Sequence, residues 1–294
     1  MNAWIRALRP RQWPKNAVVL AAFFFALGDP TQHVTPRMLA RALAAAGLFC
    51  LASSAVYLLN DLHDRERDRL HPVKRRRPIA SGALAPRDVV VVALALGAVA
   101  LGGGAALSSG FAQAVAAYFV MQAAYTLLLK QVPLVDVLVI AAGFVIRAVA
   151  GARAIGAGIS AWLLLCAFLL ALFLALCKRR GEKRLSPAEE TESRPALAGY
   201  GEKLLDQLIA IVAAATISCY AIYTLWPDTV AKFQTHGLVC TTPFVLFGLF
   251  RYLDLVYRHD LGDEPELVLL TDLPTLINLA LYGAAVLVVL LTPR

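Results

Sequence analysis

Apolar runs of membrane length recur along this chain and restrict it more than any other feature. They extend from about Pro14 to Gly28, Leu39 to Leu59, Asp88 to Leu107, Gln113 to Leu129, Leu134 to Ala152, Trp162 to Cys177, Leu204 to Trp226, Gly237 to Leu253 and Pro274 to Leu291. A helix of roughly 20 apolar residues crosses the hydrocarbon core of a bilayer, and inside lipid the backbone must satisfy its own hydrogen bonds. The composition agrees, with 59% hydrophobic residues and only 16% charged. The expected fold is therefore an all-α integral membrane bundle of nine transmembrane helices, a single polytopic domain over residues 1–294. The first run follows Arg6, Arg9, Arg11 and Lys15, as a signal peptide would, but it lacks a convincing small-residue cleavage site. It is read as an uncleaved span opened by Pro14.

A net charge of +8 raises nucleic acid as a partner. The placement of the cations excludes it, because they cluster between spans, where they act as an orientation signal and as a hold on anionic groups. Eight Lys or Arg fall between Arg65 and Arg87, and seven between Lys178 and Lys203. The loops on the other side offer Arg37, Arg41 and Lys232, with Arg153 and Arg294 at span ends. The N-terminus and the polar loops after the second, sixth and eighth spans are expected in the cytoplasm, at the inner membrane of a bacterium. Cys50, Cys166, Cys177, Cys219 and Cys240 sit in or beside apolar runs without any C-x-x-C spacing, so neither a disulfide framework nor a zinc site is indicated.

The second run ends in Asn60-Asp61-Leu62-His63-Asp64-Arg65-Glu66-Arg67-Asp68. On a continuing helix Asp61, Asp64 and Asp68 stand at i, i+3 and i+7, within about 60° of one another. Carboxylates so arranged repel unless a cation neutralises them, and all-oxygen donors suit Mg²⁺ bound together with phosphates. A solvated loop laced with ion pairs is the competing reading, given Arg65, Arg67 and Arg69. The position at the end of a membrane span argues for function. The basic segment Lys74-Arg75-Arg76-Arg77 follows, suited to holding a polyanion between metal and guanidinium groups. Asp136 and Arg147 lie inside otherwise apolar sequence. The first is read as a cap or a snorkelling residue near a span end, the second as facing the bundle or a cavity. The sixth span stops at Lys178-Arg179-Arg180-Gly181-Glu182, where Glu182, one turn beyond Lys178, is placed to orient it. The histidines show no spacing that supports a charge relay, and His71, before a proline, is read as fixing its loop.

The Asn-Asp-x-x-Asp-x-x-x-Asp pattern of Asn60 to Asp68, on the second of nine spans, resembles the first aspartate-rich motif of the UbiA prenyltransferase superfamily. The second such motif of the ordinary prenyltransferases is replaced here by Lys178-Arg179-Arg180-Gly181-Glu182. Other segments resemble the decaprenyl-phosphate phosphoribosyltransferase branch: Leu8-Arg9-Pro10-Arg11-Gln12-Trp13-Pro14-Lys15-Asn16, the run from His71 to Ile79, Ile146-Arg147-Ala148-x-Ala150-Gly151, Lys178-Arg179, Arg251-Tyr252 and Gly262-Asp263-Glu264-Pro265-Glu266.

The resemblance implies a UbiA-like bundle whose cytoplasmic loops cap a central cavity. It implies transfer of 5-phosphoribose from 5-phospho-α-D-ribose 1-diphosphate to a polyprenyl phosphate, in the service of cell-wall arabinan precursors. Asp61 and Asp64, with Lys178, are the catalytic candidates, and Asp61, Asp64 and Asp68 the Mg²⁺ ligands. Substrate contacts are assigned to Asn60, Lys15, Lys74, Arg75, Arg77, Arg147, Lys178, Arg179, Glu182, Tyr200, Arg251 and Glu266. The partners implied are the soluble donor, the lipid acceptor and the membrane, and a homo-oligomer is compatible with the sequence. An aromatic prenyltransferase using a prenyl diphosphate is the nearest alternative, and a transporter lined by Arg147 and Asp136 is one from a different class.

Overall fold

Helices account for every regular element in the computed structural model, which describes residues 3–29, 32–185, 195–259 and 271–291. Eight are long: α1 (Pro36–His63), α2 (Pro86–Leu107), α3 (Ser109–Leu127), α4 (Val135–Ile155), α5 (Ala161–Leu185), α6 (Glu202–Leu225), α7 (Thr242–Arg258) and α8 (Leu273–Leu291). Among the described residues, seven stretches are long and apolar enough to cross a membrane: α1, α2, α4, α5, α6, α8, and α7 together with the tight turn that precedes it from Gly237. Helix α3 has 19 residues, but Gln113, Gln122 and Thr126 lower its hydropathy.

The first expected span takes a different form. Residues Pro10–Leu20 wind as a 3₁₀ helix, and a seven-residue α-helix, Ala21–Leu27, continues it. The Pro14 ring would crowd the Pro10 carbonyl in an α-helix, which disfavours the α form over this segment. The starts of α1 and α8 carry side-chain caps. The Thr35 hydroxyl accepts from the Met38 amide at 3.3 Å ahead of Pro36. The Asp272 carboxylate likewise accepts from the Thr275 amide at 3.0 Å at the start of α8.

The chain forms two compact units. The first comprises Met1–Phe23, Thr35–Leu127 and Ile146–Gly158. Its core sets Ala45, Phe49, Ala52 and Val56 of α1 against Ala100, Phe111, Val115 and Tyr118, with Val19 and Ala150 completing it. Small side chains let backbones approach, as in other membrane bundles. At Gly151 the approach is so close that a Cβ would lie 1.9 Å from the Val19 carbonyl oxygen. The 3₁₀ segment is thus pressed against the second half of α4. The second unit comprises Phe24–Val34, Leu128–Val145 and Ile159–Arg294. Its core joins Val137 and Ala141 of α4 to Phe173 and Leu176 of α5, Leu205 and Ile209 of α6, and Leu249 and Tyr252 of α7.

Candidate active site

In the first unit, Asn60 and Asp61 occupy the last turn of α1, Asp64 forms a junction at φ −86°, ψ 3°, and a short helix, Arg65–Leu70, carries Asp68. The helical spacing survives the junction. The Asp64 amide bonds the Asn60 carbonyl at 2.9 Å, and the Asp68 amide bonds the Asp64 carbonyl at 2.8 Å. Asp61 and Asp68 consequently point the same way, and both are buried, at 5% and 4% exposure. Arg77 Nη1 lies 3.1 Å from Asp61 Oδ1 and 2.6 Å from Asp68 Oδ2, so a single cationic nitrogen meets both carboxylates. Arg9 Nη2 adds a second contact to Asp61 Oδ1 at 2.5 Å. Buried carboxylates need such pairing, because their desolvation is otherwise uncompensated.

Arg9 is placed by the N-terminal segment. Its backbone sits in the left-handed region at φ 54°, and its guanidinium lies 5.1 Å from the centre of the Tyr57 ring. The segment is tied to α1 on both sides of Arg9. Ser54 donates to the Leu8 carbonyl at 2.9 Å, Trp13 Nε1 donates to Ser54 Oγ at 3.0 Å, and Asn16 Nδ2 donates to Ser53 Oγ at 3.0 Å. Arg147 completes the chain of contacts, donating through Nε to Asn16 Oδ1 at 2.8 Å and through Nη2 to the Tyr118 hydroxyl at 3.2 Å. Its guanidinium also lies over the Phe49 and Tyr118 rings. The expectation that Arg147 faces the bundle interior holds, at 5% exposure. Its polar contacts reach the strap that delivers Arg9.

The remaining candidates of this unit divide by environment. The Thr126 hydroxyl donates to Asn60 Oδ1. Lys15 is half-buried beside Asn16. Lys74 and Arg75 form a tight turn whose geometry His71 fixes, its Nδ1 accepting from the amides of Val73 and Lys74 at 3.2 and 3.3 Å. Among the described residues neither the Lys74 ammonium nor the Arg75 guanidinium has a hydrogen bond or ion pair, whereas Arg77 is committed to the carboxylates.

No group of three or more His, Cys, Asp or Glu among the described residues converges as a metal cluster. The donor set still suits Mg²⁺, which binds through one or two protein carboxylates and completes its shell with water and phosphate oxygens. The point shared by Asp61 and Asp68, where Arg77 Nη1 now sits, is one that favours a cation.

The second unit carries the other candidates. Asp136 is 0% exposed, not a snorkelling residue. Arg179 Nε donates to its Oδ2 at 2.7 Å, and the Tyr200 hydroxyl donates to its Oδ1 at 2.6 Å. That hydroxyl also accepts from the Leu134 amide at 2.7 Å. Burial, reinforced by the adjacent Asp136 carboxylate, pushes the Tyr200 phenol well above its ordinary range. Glu182, expected to orient Lys178, reaches Arg179 Nη1 at 2.5 Å. Lys178 is half-buried, and its ammonium has no hydrogen bond or ion pair among the described residues. Arg251 binds Asp272 at 2.8 and 3.2 Å and Asp254 at 2.9 Å. Its guanidinium holds the Asp272 carboxyl well below the usual carboxylate range. Glu266 and the run from Gly262 to Glu266 lie outside the described residues.

Reading the sequence for function missed Arg9 as a partner of Asp61 and Asp136 as the partner of Arg179. Arg9 had a local signal, since it precedes Pro10 in a segment already singled out. Asp136 had one too, as a charge within an apolar run.

A buried acidic pair capped by arginines ends an apolar helix of the first unit, and consecutive basic side chains end one of the second. The chain belongs to the UbiA prenyltransferase family, whose profile matches residues 17–273. It is 35% identical over 286 residues to a protein of Mycobacterium tuberculosis named decaprenyl-phosphate phosphoribosyltransferase, covering 96% of this chain and 93% of that one. A protein of the same name from Mycolicibacterium smegmatis is 33% identical over 279 residues, covering 92% and 87%. The structure of a UbiA homolog from Archaeoglobus fulgidus bound to DMAPP and Mg²⁺ superposes with a TM-score of 0.74 over 99% of this chain and 100% of that one, at 20% identity. That likeness establishes the fold. With seven membrane-length apolar stretches among its described residues, the chain is a multi-pass membrane protein.

Proposed function

We propose that this protein transfers 5-phosphoribose from 5-phospho-α-D-ribose 1-diphosphate to a polyprenyl phosphate, decaprenyl phosphate in the first instance, releasing diphosphate. The observation that carries the reading is its 35% identity, across nearly its whole length, to proteins named for that activity. The chemistry at the end of α5 supports it. Of the three consecutive cations there, Lys178 has no hydrogen bond or ion pair from its ammonium among the described residues and suits a phosphate group.

The reaction breaks the bond between the anomeric carbon and the diphosphate oxygen and makes one to a phosphate oxygen of the lipid. That oxygen is already anionic at neutral pH, so no general base is required. Asp61, Asp64 and Asp68 would hold Mg²⁺, which would supply charge neutralisation for the diphosphate leaving group. Lys74 and Arg75, which have no hydrogen bond or ion pair from their side chains among the described residues, hold donor phosphates; Arg9 keeps Asp61 oriented, and Arg77, released from the carboxylates by the metal, joins the phosphate-binding set. Asn60, held by Thr126, is a further substrate contact. Lys178 contacts a phosphate, with Arg179 and Glu182 beside it. Lys15, Tyr200, Arg251 and Glu266 are further substrate contacts in this reading, and Arg147 holds the N-terminal strap.

Counting the 3₁₀ segment Pro10–Leu20 and helix α3 with the seven apolar stretches gives nine spans in this reading. At about 2.0 Å per residue, the eleven residues of the 3₁₀ segment reach roughly 22 Å, further than an α-helix of that length. The excess of Lys and Arg between spans supports an N-terminus and polar loops in the cytoplasm of a bacterium, where the soluble donor is available.

The test supplies purified, lipid-reconstituted protein with polyprenyl phosphate, Mg²⁺ and one of two labelled donors: phosphoribosyl diphosphate, or a prenyl diphosphate with an aromatic acceptor. Label enters the lipid phase from phosphoribosyl diphosphate and is lost in Asp61→Ala and Asp64→Ala. A prenylated aromatic product without ribosylated lipid would replace this reading with an ordinary prenyltransferase.

A further inference from the structure

The basic turn that ends α5 presents its three cations to different surroundings. Consecutive residues of an α-helix point about 100° apart, so Lys178, Arg179 and Arg180 cannot share one partner. Arg180 Nε donates to Asp206 Oδ1 at 2.6 Å, Tyr257 donates to the same oxygen at 2.8 Å, and the Arg180 guanidinium lies 3.9 Å from the centre of the Tyr257 ring. Arg179 is taken by Asp136, which is fully buried and therefore depends on that pairing.

The Asp136 site is itself built from three segments. Leu134 adopts φ 68°, a conformation that L side chains seldom take, and its amide donates to the Tyr200 hydroxyl. Gly199 closes on Pro133 so tightly that a Cβ would lie 2.4 Å from Pro133 Cγ. The Pro133-Leu134 turn, the Gly199-Tyr200 link and the end of α5 are thereby locked around one carboxylate. Of the three cations, Lys178 alone has no protein partner among the described residues.

We propose that Asp136 and Tyr200 are positioning residues that hold Arg179 as a structural cation, so that Lys178 is the cation of this turn that meets a substrate phosphate. The inference rests on the proposed function for the identity of that substrate. It reassigns Arg179 and Tyr200 from substrate contact to support. Either the donor or the lipid acceptor supplies phosphate oxygens of the required chemistry.

The experiment reads the modification of Lys178 by an amine-reactive reagent, by mass spectrometry of the full chain in nanodiscs. Separate arms contain phosphoribosyl diphosphate, polyprenyl phosphate and a prenyl diphosphate, each with Mg²⁺. Wild-type Lys178 is protected several-fold by the phosphate it contacts, and the arm that protects identifies the source. In Tyr200→Phe, which keeps the ring, and in Asp136→Asn, the ligand concentration needed for protection rises about tenfold, the scale on which supporting partners act. Adding Tyr200→Phe to Arg179→Gln causes no further loss, since Tyr200 acts on Arg179 through the Asp136 carboxylate that both bind.

Protection at wild-type ligand concentrations in both Tyr200→Phe and Asp136→Asn overturns the proposal, as does the absence of protection by any ligand. Protection by the prenyl diphosphate alone, still dependent on Asp136, would support the positioning role while removing the phosphoribosyl reading.

Discussion

Replacing Arg77 with Gln separates the two cations that hold the acidic pair. In the wild type, Arg77 Nη1 serves Asp61 and Asp68 together, while Arg9 serves Asp61 alone. Unit charges about 4 Å apart attract by about 4 kcal/mol at an effective dielectric constant near 20. The Arg77 side chain is 31% exposed, so water recovers part of that loss, and Arg9 remains on Asp61. The net destabilisation expected is about 2–3 kcal/mol, below the full cost of breaking a wholly buried pair. Mg²⁺ opposes it, because in the variant the ion enters without displacing a guanidinium. At a hundred times its dissociation constant a ligand adds about 2.7 kcal/mol by mass action. Thermal unfolding in nanodiscs, with and without Mg²⁺, is the assay. Arg77→Gln melts below the wild type without Mg²⁺, and the gap narrows when Mg²⁺ is added. Equal shifts in the two proteins would refute the idea that Arg77 occupies the point a metal ion takes.

Further outcomes follow from other contacts. Gly151→Ala places a methyl group against the Val19 carbonyl and forces the 3₁₀ segment away from α4, lowering stability by about 1–3 kcal/mol and shifting the melting temperature downwards. Arg147→Lys keeps the charge but loses the fork that reaches Asn16 and Tyr118 together, and should cost about 1–3 kcal/mol in the same assay. Asp272 has a depressed pKa in the folded protein, so its contribution is present above the ordinary carboxylate pKa near 4 and is lost as pH falls through the lower folded value. Asp272→Asn is therefore less stable than the wild type at neutral pH, and the difference disappears in strong acid. Tyr200 has a raised pKa, so its contribution is full below pH of about 10 and declines as pH rises towards the folded value, a slope that Tyr200→Phe removes from the pH dependence of melting.

The long apolar helices and the acidic stretch were legible because each is written in local sequence. Hydropathy marks α1, α2 and α4 to α8, and the spacing of Asp61 and Asp68 survives the junction at Asp64 because the backbone hydrogen bonds continue across it. The same logic flagged Asp136 and Arg147 as costly charges, and both are buried. Their partners were not legible. Arg179 lies 43 positions from Asp136, and Arg147 lies 131 from Asn16, so only the folded chain brings them together. The form of the first span was hidden for another reason: its apolar content announces a helix, while Pro10, Pro14 and the polar anchors at Trp13 and Asn16 decide the winding. Arg77 was assigned to phosphate because it sits in a basic run, yet in the fold the nearest anions are Asp61 and Asp68.

The claim on which this account turns is the identity of the transferred group, and the mass of the lipid product tests it most directly. Polyprenyl phosphate incubated with the reconstituted protein, phosphoribosyl diphosphate and Mg²⁺ should gain the mass of one phosphoribosyl unit, with one diphosphate released for each lipid converted. An unchanged polyprenyl phosphate, under conditions in which the same preparation prenylates an aromatic acceptor from a prenyl diphosphate, would contradict it.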